Sequence, residues 1–399
     1  MTKAVILAAG WGTRMRPLTH TRPKPALRVA GKTLIEHNLS QLAGLVEEAV
    51  LVVGYESEII KREIGDQYKG ISIKYAKQDE PIGTGDAAKS ALPFLEDDFL
   101  ILNGDDLYKR EDLSKCLEDN PTIMVKEVDN PSGFGQIVCE DGEVKDLVEK
   151  PAENVSNLVN IGAYYVNKAF FEADIEKSER GEYEITDYIK NYIKTHKVDF
   201  HVAKSWDPVS YPWNLLESIN HIFDDLEEKN KGEIEDNVCL RGKIIIEKGA
   251  KIKSGTTIEG PAYIGKNCEV GPNAHIRPWS SIDEGAQIGQ SVEVKNSVIG
   301  RNTHVPHLSY VGDSVLGEDC NLGAGTIAAN FKFDESIIKT EVKGAVMSTR
   351  RKKLGAILGD GVKTGINVSL MPGVMVGANS TIYPHKIVRK NIKKETTFK

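Results

Sequence analysis

The sequence predicts an α/β protein in which a Rossmann-like domain is followed by a left-handed parallel β-helix of hexapeptide repeats. In the first half of the chain, short apolar runs alternate with helical stretches. In the second half, aliphatic residues recur at every sixth position, and glycine often follows them. The length of 399 residues fits two domains. We place them at residues 1–228 and 237–399, with a linker at 229–236.

The first domain has the alternation of an α/β fold. Apolar runs predict strands at residues 4–8, 49–53, 99–102 and 161–166, and longer stretches predict helices at 34–45, 185–194 and 213–230. Alternation of strands and helices favours a largely parallel sheet. The last helix becomes highly charged from Asp224 onward, which indicates the end of the domain.

The second domain has a six-residue period. Ten aliphatic residues follow one another at this spacing: Leu240, Ile246, Ile252, Ile258, Ile264, Val270, Ile276, Ile282, Ile288 and Val294. The period resumes with shifts at Ile299, Val305, Val311, Leu316 and Leu322, and again from Leu358 to Val388, with Thr364 as a polar exception. This period fits neither a helix nor a long strand and is typical of a parallel β-helix. Residues 329–354 break the pattern, which predicts a loop leaving the coil.

Charge and cysteine content argue against several classes of protein. The net charge of −7 disfavours a general nucleic-acid binder, which is usually basic. No apolar stretch approaches the length of a membrane span, so we expect no membrane partner. The five cysteines are scattered and form no CxxC pair, which argues against disulfide scaffolds and zinc sites. We therefore expect a cytoplasmic protein.

A glycine-rich turn follows the first predicted strand. Gly10 and Gly12 let backbone N–H groups approach a phosphate, and Thr13 and Arg14 follow directly. Arg14 offers a planar fork of donors to phosphate oxygens, and Lys24 adds a second cation between two prolines. The turn is neither a dinucleotide fingerprint nor a Walker loop. On these residues alone, a tight turn with a surface arginine is the alternative.

Two further stretches suit the same chemistry. Gly83, Thr84 and Gly85 form a second glycine-rich turn at a predicted helix start. Asp105 follows the predicted strand at 99–102, and α/β sheets bind ligands at the carboxyl ends of such strands. Because Mg²⁺ prefers one or two carboxylates together with substrate phosphates, Asp105 is a candidate metal ligand. A simple polar turn is the alternative here.

The stretch from Leu7 to Pro17, of the form LAAGxGTRMxP, together with Lys24 and Pro25, resembles the signature of sugar-1-phosphate nucleotidylyltransferases. The resemblance implies a first domain that binds a nucleoside triphosphate, a sugar 1-phosphate and Mg²⁺. It assigns residues to the nucleotide (Gly10, Gly12, Thr13, Gln78, Gly83 and Thr84), to the triphosphate (Arg14 and Lys24), to the sugar (Gly135, Glu149 and Asn160) and to the metal (Asp105).

One part of the family pattern differs in this chain. The family supplies a second metal ligand as an aspartate two residues after a tryptophan. Here Asp207 follows Trp206 directly. Asp207 is therefore the first choice for the second ligand, and Asn214 is the second choice.

A histidine stands among polar residues that interrupt the second domain. Imidazole titrates near neutral pH, so His307 can deprotonate an amine that attacks a thioester, although a structural histidine is the alternative. The stretch from His307 to Asp313 resembles that around the catalytic histidine of bacterial enzymes that join a glucosamine-1-phosphate acetyltransferase to an N-acetylglucosamine-1-phosphate uridylyltransferase. The resemblance implies His307 as general base and Ala324 at the acetyl-CoA site. It assigns six residues to the amino-sugar phosphate: Arg277, Lys295, Tyr310, Asn321, Asn330 and Lys339.

Spacing gives independent support to one pair in this set. Three hexapeptides make one turn of such a β-helix, so Arg277 and Lys295, 18 residues apart, are expected to stack on one face. Two cations on one wall suit a phosphate group. The basic run at residues 350–353 fits either CoA phosphates or a solvated loop.

The sequence therefore favours a bifunctional enzyme. Its second domain would use acetyl-CoA to acetylate glucosamine 1-phosphate, with galactosamine 1-phosphate as a further acceptor. Its first domain would then couple the product to UTP, or to dTTP, with Mg²⁺. One alternative is a glucose-1-phosphate thymidylyl- or uridylyltransferase that uses the β-helix only for assembly, and another is a non-catalytic sensor of nucleotide sugars. Family β-helices associate side by side, which predicts a homotrimer or another homo-oligomer.

Overall fold

The structure, a computed structural model, describes residues 2–399. These residues form two compact units. The first unit consists of residues 2–11 and 34–208, and the second consists of Gly12–Thr33 and Val209–Lys399. The glycine-rich signature is therefore divided between the two units, because Gly10 belongs to the first unit while Arg14 and Lys24 belong to the second.

The chain up to residue 224 contains fourteen strands and six α-helices among the described residues. The strands are β1 (Lys3–Ala8), β2 (Arg28–Val29), β3 (Lys32–Thr33), β4 (Glu48–Val53), β5 (Gln67–Tyr68), β6 (Ile71–Lys77), β7 (Phe99–Asn103), β8 (Asp106–Tyr108), β9 (Thr122–Glu127), β10 (Gly135–Glu140), β11 (Glu143–Glu149), β12 (Leu158–Val166), β13 (Asp199–Val202) and β14 (Trp206–Pro208). The helices are α1 (Leu34–Leu42), α2 (Ser57–Ile64), α3 (Thr84–Lys89), α4 (Arg110–Cys116), α5 (Ile185–Tyr192) and α6 (Asn214–Asp224). None of the helices in residues 2–399 is long and apolar enough to cross a membrane.

A ten-stranded sheet organises the first unit, in the order β10-β11-β13-β9-β12-β7-β1-β4-β6-β5. Strands β7, β1, β4 and β6 are parallel, and their residues are buried in continuous runs such as Val50 to Val52. The expectation of a largely parallel sheet is confirmed for these four strands. In the other half only β9 and β13 pair in parallel, and the expectation is wrong for the rest, where β12 pairs antiparallel with β7 and β9, and β10 and β11 form a hairpin.

The second unit is a β-helix of short strands. They are β15 (Lys229–Asn230), β16 (Glu233–Ile234), β17 (Cys239–Arg241), β18 (Ile244–Ile246), β19 (Lys251–Ile252), β20 (Thr257–Glu259), β21 (Ala262–Ile264), β22 (Glu269–Val270), β23 (His275–Ile276), β24 (Ser280–Ile282), β25 (Gln287–Gln290), β26 (Glu293–Lys295), β27 (Val298–Ile299), β28 (His304–His307), β29 (Tyr310–Gly312), β30 (Val315–Leu316), β31 (Asn321–Leu322), β32 (Ile327–Ala328), β33 (Lys339–Val342), β34 (Ala345–Ser348), β35 (Ile357–Leu358), β36 (Lys363–Thr364), β37 (Ser369–Leu370), β38 (Met375–Val376), β39 (Thr381–Ile382), β40 (Ile387–Val388) and β41 (Thr397–Phe398). Except for β33 and β34, they fall in turn on three parallel sheets of eight, nine and eight strands, the faces of the left-handed coil.

The six-residue period marks the core of this coil, as the sequence predicts. From Ile246 to Val388 the aliphatic residues of the period are buried, whereas Leu240 in the first turn is 39% exposed. Ile246 pairs with Ile264, 18 residues on, whereas Ile282 pairs with Ile299, 17 residues on. One turn therefore contains three hexapeptides or one residue fewer, which explains the shifts in the period.

Thr364, the polar exception in the period, pairs with another buried threonine. Thr364 Oγ1 lies 2.8 Å from Thr326 Oγ1 and accepts from Gly323 N at 3.0 Å. The break at 329–354 contains an antiparallel hairpin of β33 and β34, which lies outside the three sheets.

The start of the coil differs from the expected boundary. Residues 229–236, expected as a linker, contain β15 and β16, which pair with β18 and β19 of the coil. The predicted helix over 213–230 ends earlier, at Asp224. Helix α6 belongs to the second unit because Phe223 packs edge-on against Trp279 at 6.4 Å, and Lys243 Nζ donates to Phe223 O at 2.6 Å.

Candidate active sites

Gln78 and Gly83, both expected to bind the nucleotide, are joined by a hydrogen bond in the first unit. The buried Gln78 side chain donates from Nε2 to Gly83 O at 3.0 Å and to Asp86 Oδ2 at 2.9 Å. Gly83 has a φ of +127°, and a Cβ there would lie 2.2 Å from Tyr183 O. Only glycine fits this turn, because a side chain would collide with that carbonyl.

Gly10 and Thr84 lie in the two glycine-rich turns of the same unit. A Cβ on Gly10 would meet nothing within 4 Å, so the surface beside it is open. The backbone next to it is closely packed, since a Cβ on Gly54 after β4 would lie 2.9 Å from Ala9 O. Thr84 Oγ1 accepts from Ile185 N at 3.1 Å, which fixes the start of α3 to the start of α5.

Asp207 lies on β14, and Asp105 directly precedes β8, the strand with which β14 pairs. Strands β8 and β14 pair antiparallel, with Asp207 opposite Leu107. Asp105 lies two residues before Leu107, in the turn that leads into β8, so both aspartates lie on or next to this two-stranded sheet. Within residues 2–399, no group of three or more His, Cys, Asp or Glu side chains could hold a metal ion. A pair of carboxylates fits Mg²⁺, which completes its shell with phosphates and water.

Asn214, the second choice of metal ligand, holds the start of α6. Its Oδ1 accepts from Ser210 N at 3.1 Å and from Tyr211 N at 2.8 Å, and its Nδ2 donates to Glu217 Oε2 at 2.7 Å. Both lone pairs of the amide oxygen are therefore engaged. This engagement argues against Asn214 as the second metal ligand.

The structure brings the three expected sugar residues together. Gly135 pairs with Glu149 across β10 and β11, and a Cβ on Gly135 would lie 2.9 Å from Glu149 Oε2 and 3.7 Å from Asn160 Cβ. The Asn160 side chain is oriented by Tyr164, whose hydroxyl lies 2.8 Å from Nδ2, and by Gly162 N, which donates to Oδ1 at 3.1 Å. These residues form a compact polar patch in the first unit.

Arg180 is a neighbour of this patch that the sequence analysis missed. Its guanidinium lies 2.8 Å from Glu184 Oε1 and 3.8 Å from Glu149 Oε1. Burial raises the pKa of Glu184 above its ordinary value, and Arg180 partly opposes this effect. No sequence motif singled out Arg180, because its contact with Glu149 joins residues 31 positions apart.

The segment that contains Gly12, Thr13, Arg14 and Lys24 belongs to the second unit. Gly12 has a φ of +57°, and a Cβ there would lie 2.8 Å from Lys24 Cβ, so the turn packs on the lysine. Lys24 is only 5% exposed. Thr13 and Arg14 begin a short 3₁₀ turn, and the Arg14 guanidinium lies 5.8 Å from the ring centre of Tyr211.

Arg277 and Lys295 line one cavity of about 370 Å³ in the second unit. They occupy neighbouring turns of the coil, as their spacing predicts, since Arg277 N donates to Val294 O at 2.8 Å. Glu293 lies 2.8 Å from the Arg277 guanidinium. The lining includes residues that the sequence analysis did not place there: Glu217 and Asn220 on α6, Trp279, Asn296 and Arg351.

Asp313 joins two polar side chains that line this cavity, Lys295 and Asn296, to Asn330 on another turn. Its carboxylate accepts from Asn330 Nδ2 at 2.5 Å, from Asn296 Nδ2 at 2.6 Å and from Lys295 Nζ at 3.4 Å. Asn330 Nδ2 also donates to the Tyr310 hydroxyl at 3.1 Å. Lys295, Tyr310 and Asn330 thus form one cluster, and Asp313 is the residue that holds it together.

Gly312 makes room for Tyr310 in this cluster. A Cβ on Gly312 would lie 2.3 Å from the Tyr310 hydroxyl, so the ring leans over the glycine. Burial raises the pKa of Tyr310, and the nearby Asp313 carboxylate raises it further. The phenol therefore stays protonated near neutral pH and can donate to a ligand.

His307 and Ala324 are neighbours on successive turns of the coil. His307 ends β28 and is exposed, and its carbonyl accepts from Gly325 N at 3.3 Å. Asn321 pairs with His304 on the same sheet, three residues before Ala324.

Lys339 does not line the cavity described above: it is exposed on β33, opposite Ser348. In the basic run, Arg351 Nη1 contacts Glu217 Oε1 at 3.0 Å, and Arg351 lines the cavity.

Comparisons with known proteins find relatives for both halves of the chain. The nucleotidyl transferase family model matches residues 3–223, and a model described as the GMPPB C-terminal domain matches residues 258–398. The bifunctional protein GlmU of Methanocaldococcus jannaschii is 44% identical, over 98% of this chain and 96% of that protein. The chain belongs to the GlmU family. It is an enzyme with a nucleotidyltransferase and an acetyltransferase activity.

A second relative and a solved structure extend the comparison. The bifunctional sugar-1-phosphate nucleotidylyltransferase/acetyltransferase of Sulfurisphaera tokodaii is 43% identical over the whole of both chains. The crystal structure of a UDP-glucose pyrophosphorylase complexed with UDP-glucose is 22% identical and has a TM-score of 0.51. It covers 57% of this chain and all of its own, so it shares the fold of that part of the chain.

Proposed function

We propose that the chain converts glucosamine 1-phosphate into UDP-N-acetylglucosamine in two steps. The second unit would transfer the acetyl group of acetyl-CoA to the amino sugar, and the nucleotidyltransferase would then join the product to UTP. The observation that carries the proposal is the cluster of Lys295, Tyr310 and Asn330 around Asp313, in which Lys295 lines one cavity together with Arg277. A β-helix used only for assembly has no need of such a polar cluster.

The acetyl transfer needs a general base and residues that bind the phosphate of the amino sugar. The amine nitrogen attacks the thioester carbonyl, a C–N bond forms, the C–S bond breaks, and CoA leaves as its thiol. His307 would take the proton that the amine loses. Arg277 and Lys295 would hold the phosphate, with Tyr310, Asn321 and Asn330 around the amino sugar, while Ala324 would line the acetyl-CoA site beside His307. Lys339 would contribute to the acceptor site from its exposed hairpin.

Arg351 would add a third cation to the phosphate end of the acceptor site. Its side chain is 18% exposed and pairs with Glu217, a residue of α6 that is 46% exposed. Three cations around about 370 Å³ would favour a phosphorylated amino sugar over the free sugar. Because the Glu217 carboxylate can return to water, its pairing with Arg351 can yield to a phosphate.

The uridylyl transfer needs positioning and neutralisation of charge. A phosphate oxygen of the sugar attacks the α-phosphorus of UTP, and the bond to pyrophosphate breaks. Arg14 and Lys24 would bind the triphosphate, Gly10, Gly12, Thr13, Gln78, Gly83 and Thr84 the nucleotide, and Gly135, Glu149 and Asn160 the sugar. Asp105 and Asp207 would hold Mg²⁺, which when bound neutralises phosphate charge. The attacking oxygen is already anionic, so no general base is required.

Two substrate choices follow from the family rather than from the geometry. UTP is the proposed nucleotide and dTTP the alternative, because thymine and uracil present the same hydrogen-bonding edge. Glucosamine 1-phosphate is the proposed acceptor, and galactosamine 1-phosphate is tested beside it. The second candidate function, a monofunctional glucose-1-phosphate nucleotidylyltransferase, leaves the Asp313 cluster without a use.

We also propose that the protein acts as a homotrimer in the cytoplasm. Ile327 and Ile387 lie on one sheet of the coil and are 40% and 48% exposed, which suits association of coils side by side. The five scattered cysteines, with no CxxC pair, suit a reducing compartment. Light scattering of the purified protein tests the oligomeric state directly.

The acetyl transfer is tested by the release of free thiol from acetyl-CoA. Glucosamine 1-phosphate, galactosamine 1-phosphate and unphosphorylated glucosamine serve as acceptors in parallel. The proposal predicts thiol release that requires an amino sugar and is fastest with a 1-phosphate. Protein that forms nucleotide sugars but releases no thiol with any acceptor would refute it in favour of the monofunctional alternative.

A further inference from the structure

Arg22 is clamped by two carboxylates of the β-helix. Its Nε and Nη2 donate to Asp360 Oδ2 at 3.0 and 2.8 Å, and its Nη1 donates to Glu318 Oε1. The side chains of Arg22, Glu318 and Asp360 are 12%, 14% and 12% exposed. All three residues belong to the second unit.

The clamp is part of a closed polar network. Asp360 Oδ1 accepts from Glu318 N at 2.8 Å, and the Thr21 hydroxyl donates to Asp360 Oδ2. Arg301 Nε contacts Glu318 Oε1 at 3.1 Å from within the coil. Two guanidinium groups face two carboxylates, so the buried charges balance.

A second anchor follows six residues later. Arg28 Nε contacts Asp283 Oδ2 at 2.8 Å, where the two side chains are 10% and 4% exposed. Ala30 N donates to Ser281 Oγ at 2.8 Å. The segment of residues 12–33 is thus fixed to the coil before and after Lys24.

Lys24 lies between the two anchors with little freedom of its own. It begins a short 3₁₀ turn over Lys24–Ala26, and it is 5% exposed. Pro23 and Pro25 restrict the backbone on both sides of Lys24. The position of its backbone therefore depends on where Arg22 and Arg28 hold the segment.

We propose that Arg22 is a positioning residue for the nucleotidyl transfer. By binding Asp360 and Glu318 of the β-helix, Arg22 fixes the backbone position of Lys24. The proposal rests on the proposed role of Lys24 on the triphosphate. A buried ion cluster contributes little net stability compared with well-packed apolar groups. Its main effect here is geometric, because two carboxylates fix the orientation of one guanidinium. The β-helix, which is proposed to carry out the acetyl transfer, would thereby also support the nucleotidyl transfer.

The test replaces Arg22 by methionine, which keeps most of the volume and removes the fork of donors. We expect kcat/KM for UTP in pyrophosphate release to fall about tenfold to a hundredfold, since small misplacements of binding groups carry costs of that size. Acetyl transfer by the same preparation should stay within about twofold, which also shows that the coil is folded. Arg22→Lys, which can satisfy only one carboxylate well, should fall in between.

Arg301→Ala is the matched control. It removes the other guanidinium from Glu318 but leaves the bonds from Arg22 to Asp360 in place. We expect kcat/KM for UTP in this variant to stay within about twofold of the unaltered chain. A loss as large as that of Arg22→Met would show that the variants act through general weakening of the coil, and would overturn the proposal.

A double-mutant cycle separates positioning from stability. If Arg22 acts through Lys24, Arg22→Met should cost less than about threefold when Lys24 is already glutamine, because interacting residues are not additive. Full additivity, or unchanged pyrophosphate release in every Arg22 variant, would overturn the proposal. If Arg22→Met fails to fold, the same cycle is run with Arg22→Lys. An unaltered chain that forms no nucleotide sugar would instead refute the proposed function itself.

Discussion

Replacing Asp313 by asparagine should slow acetyl transfer while leaving the fold and the other reaction intact. The Asp313 side chain is 4% exposed, and it accepts from Lys295, Asn296 and Asn330. Asparagine keeps the shape of the side chain but replaces one acceptor oxygen by an NH₂ donor. Because both oxygens of Asp313 accept hydrogen bonds, this NH₂ group would face another donor. The substitution also removes the negative charge beside Lys295. The cluster that would hold the amino sugar therefore loses at least one charge-assisted hydrogen bond.

The size of the effect follows from the bond that is lost. A hydrogen bond to a charged group contributes about 1.5–3 kcal/mol. If Lys295 and Asn330 make their full contacts only in the transition state, the loss appears in kcat/KM for the acceptor. At about 1.36 kcal/mol for each factor of ten, this is a decrease of about tenfold to 150-fold.

The assay follows free thiol from acetyl-CoA at subsaturating glucosamine 1-phosphate. Pyrophosphate release from UTP by the same preparation should be unchanged. Asp319→Asn is a control for the chemical change, because the exposed Asp319 also accepts from an asparagine of a neighbouring turn, Asn302 at 3.3 Å, but contacts no residue of the Asp313 cluster. An unchanged kcat/KM for the acceptor in folded Asp313→Asn protein would refute the reasoning.

Four further predictions test other parts of the account. His307→Ala should reduce acetyl transfer alone by about 10²–10⁴-fold, the usual range for a general base, and an unchanged rate would remove His307 from the mechanism. Arg351→Ala should raise KM for glucosamine 1-phosphate roughly tenfold while KM for unphosphorylated glucosamine stays the same, which steady-state kinetics can compare. Asp105→Ala, or removal of divalent cations with EDTA, should abolish pyrophosphate release and spare thiol release; loss of both would contradict separate sites. Burial alone would raise the pKa of Glu318, but its bonds and charge interactions with Arg22 and Arg301 lower it below the ordinary 4.5. A lowered pKa in the folded state contributes stability that is present above pH 4.5 and is lost as the pH falls below it. Thermal unfolding of Glu318→Gln should therefore depend less on pH in that range than that of the unaltered chain.

The β-helix could be predicted because its signal is local and repeated. One aliphatic residue every six positions is both the sequence pattern and the core of the coil, so the period alone places Ile246 and Ile264 in register. The same arithmetic placed Arg277 beside Lys295. The three sugar residues came from the family resemblance, and the pairing of Gly135 with Glu149 follows from a short hairpin.

Other features depend on contacts between distant parts of the chain. Arg22 and Asp360 are separated by 338 residues, and no periodicity links them, so the attachment of residues 12–33 to the coil was not predictable. Arg351 stood in a basic run that fits a solvated loop as well as a binding site. Its role depends on Glu217, on a helix whose packing only the fold defines. Asp313 was part of a recognised stretch, but its three donors come from other turns.

The most direct test of the whole account is a single reaction mixture of the purified protein with glucosamine 1-phosphate, acetyl-CoA, UTP and Mg²⁺, followed by mass spectrometry. The account predicts UDP-N-acetylglucosamine, with one free thiol and one pyrophosphate for each molecule of product, and no such product when acetyl-CoA is left out. Formation of UDP-N-acetylglucosamine from supplied N-acetylglucosamine 1-phosphate, without any acetylation of glucosamine 1-phosphate, would contradict it.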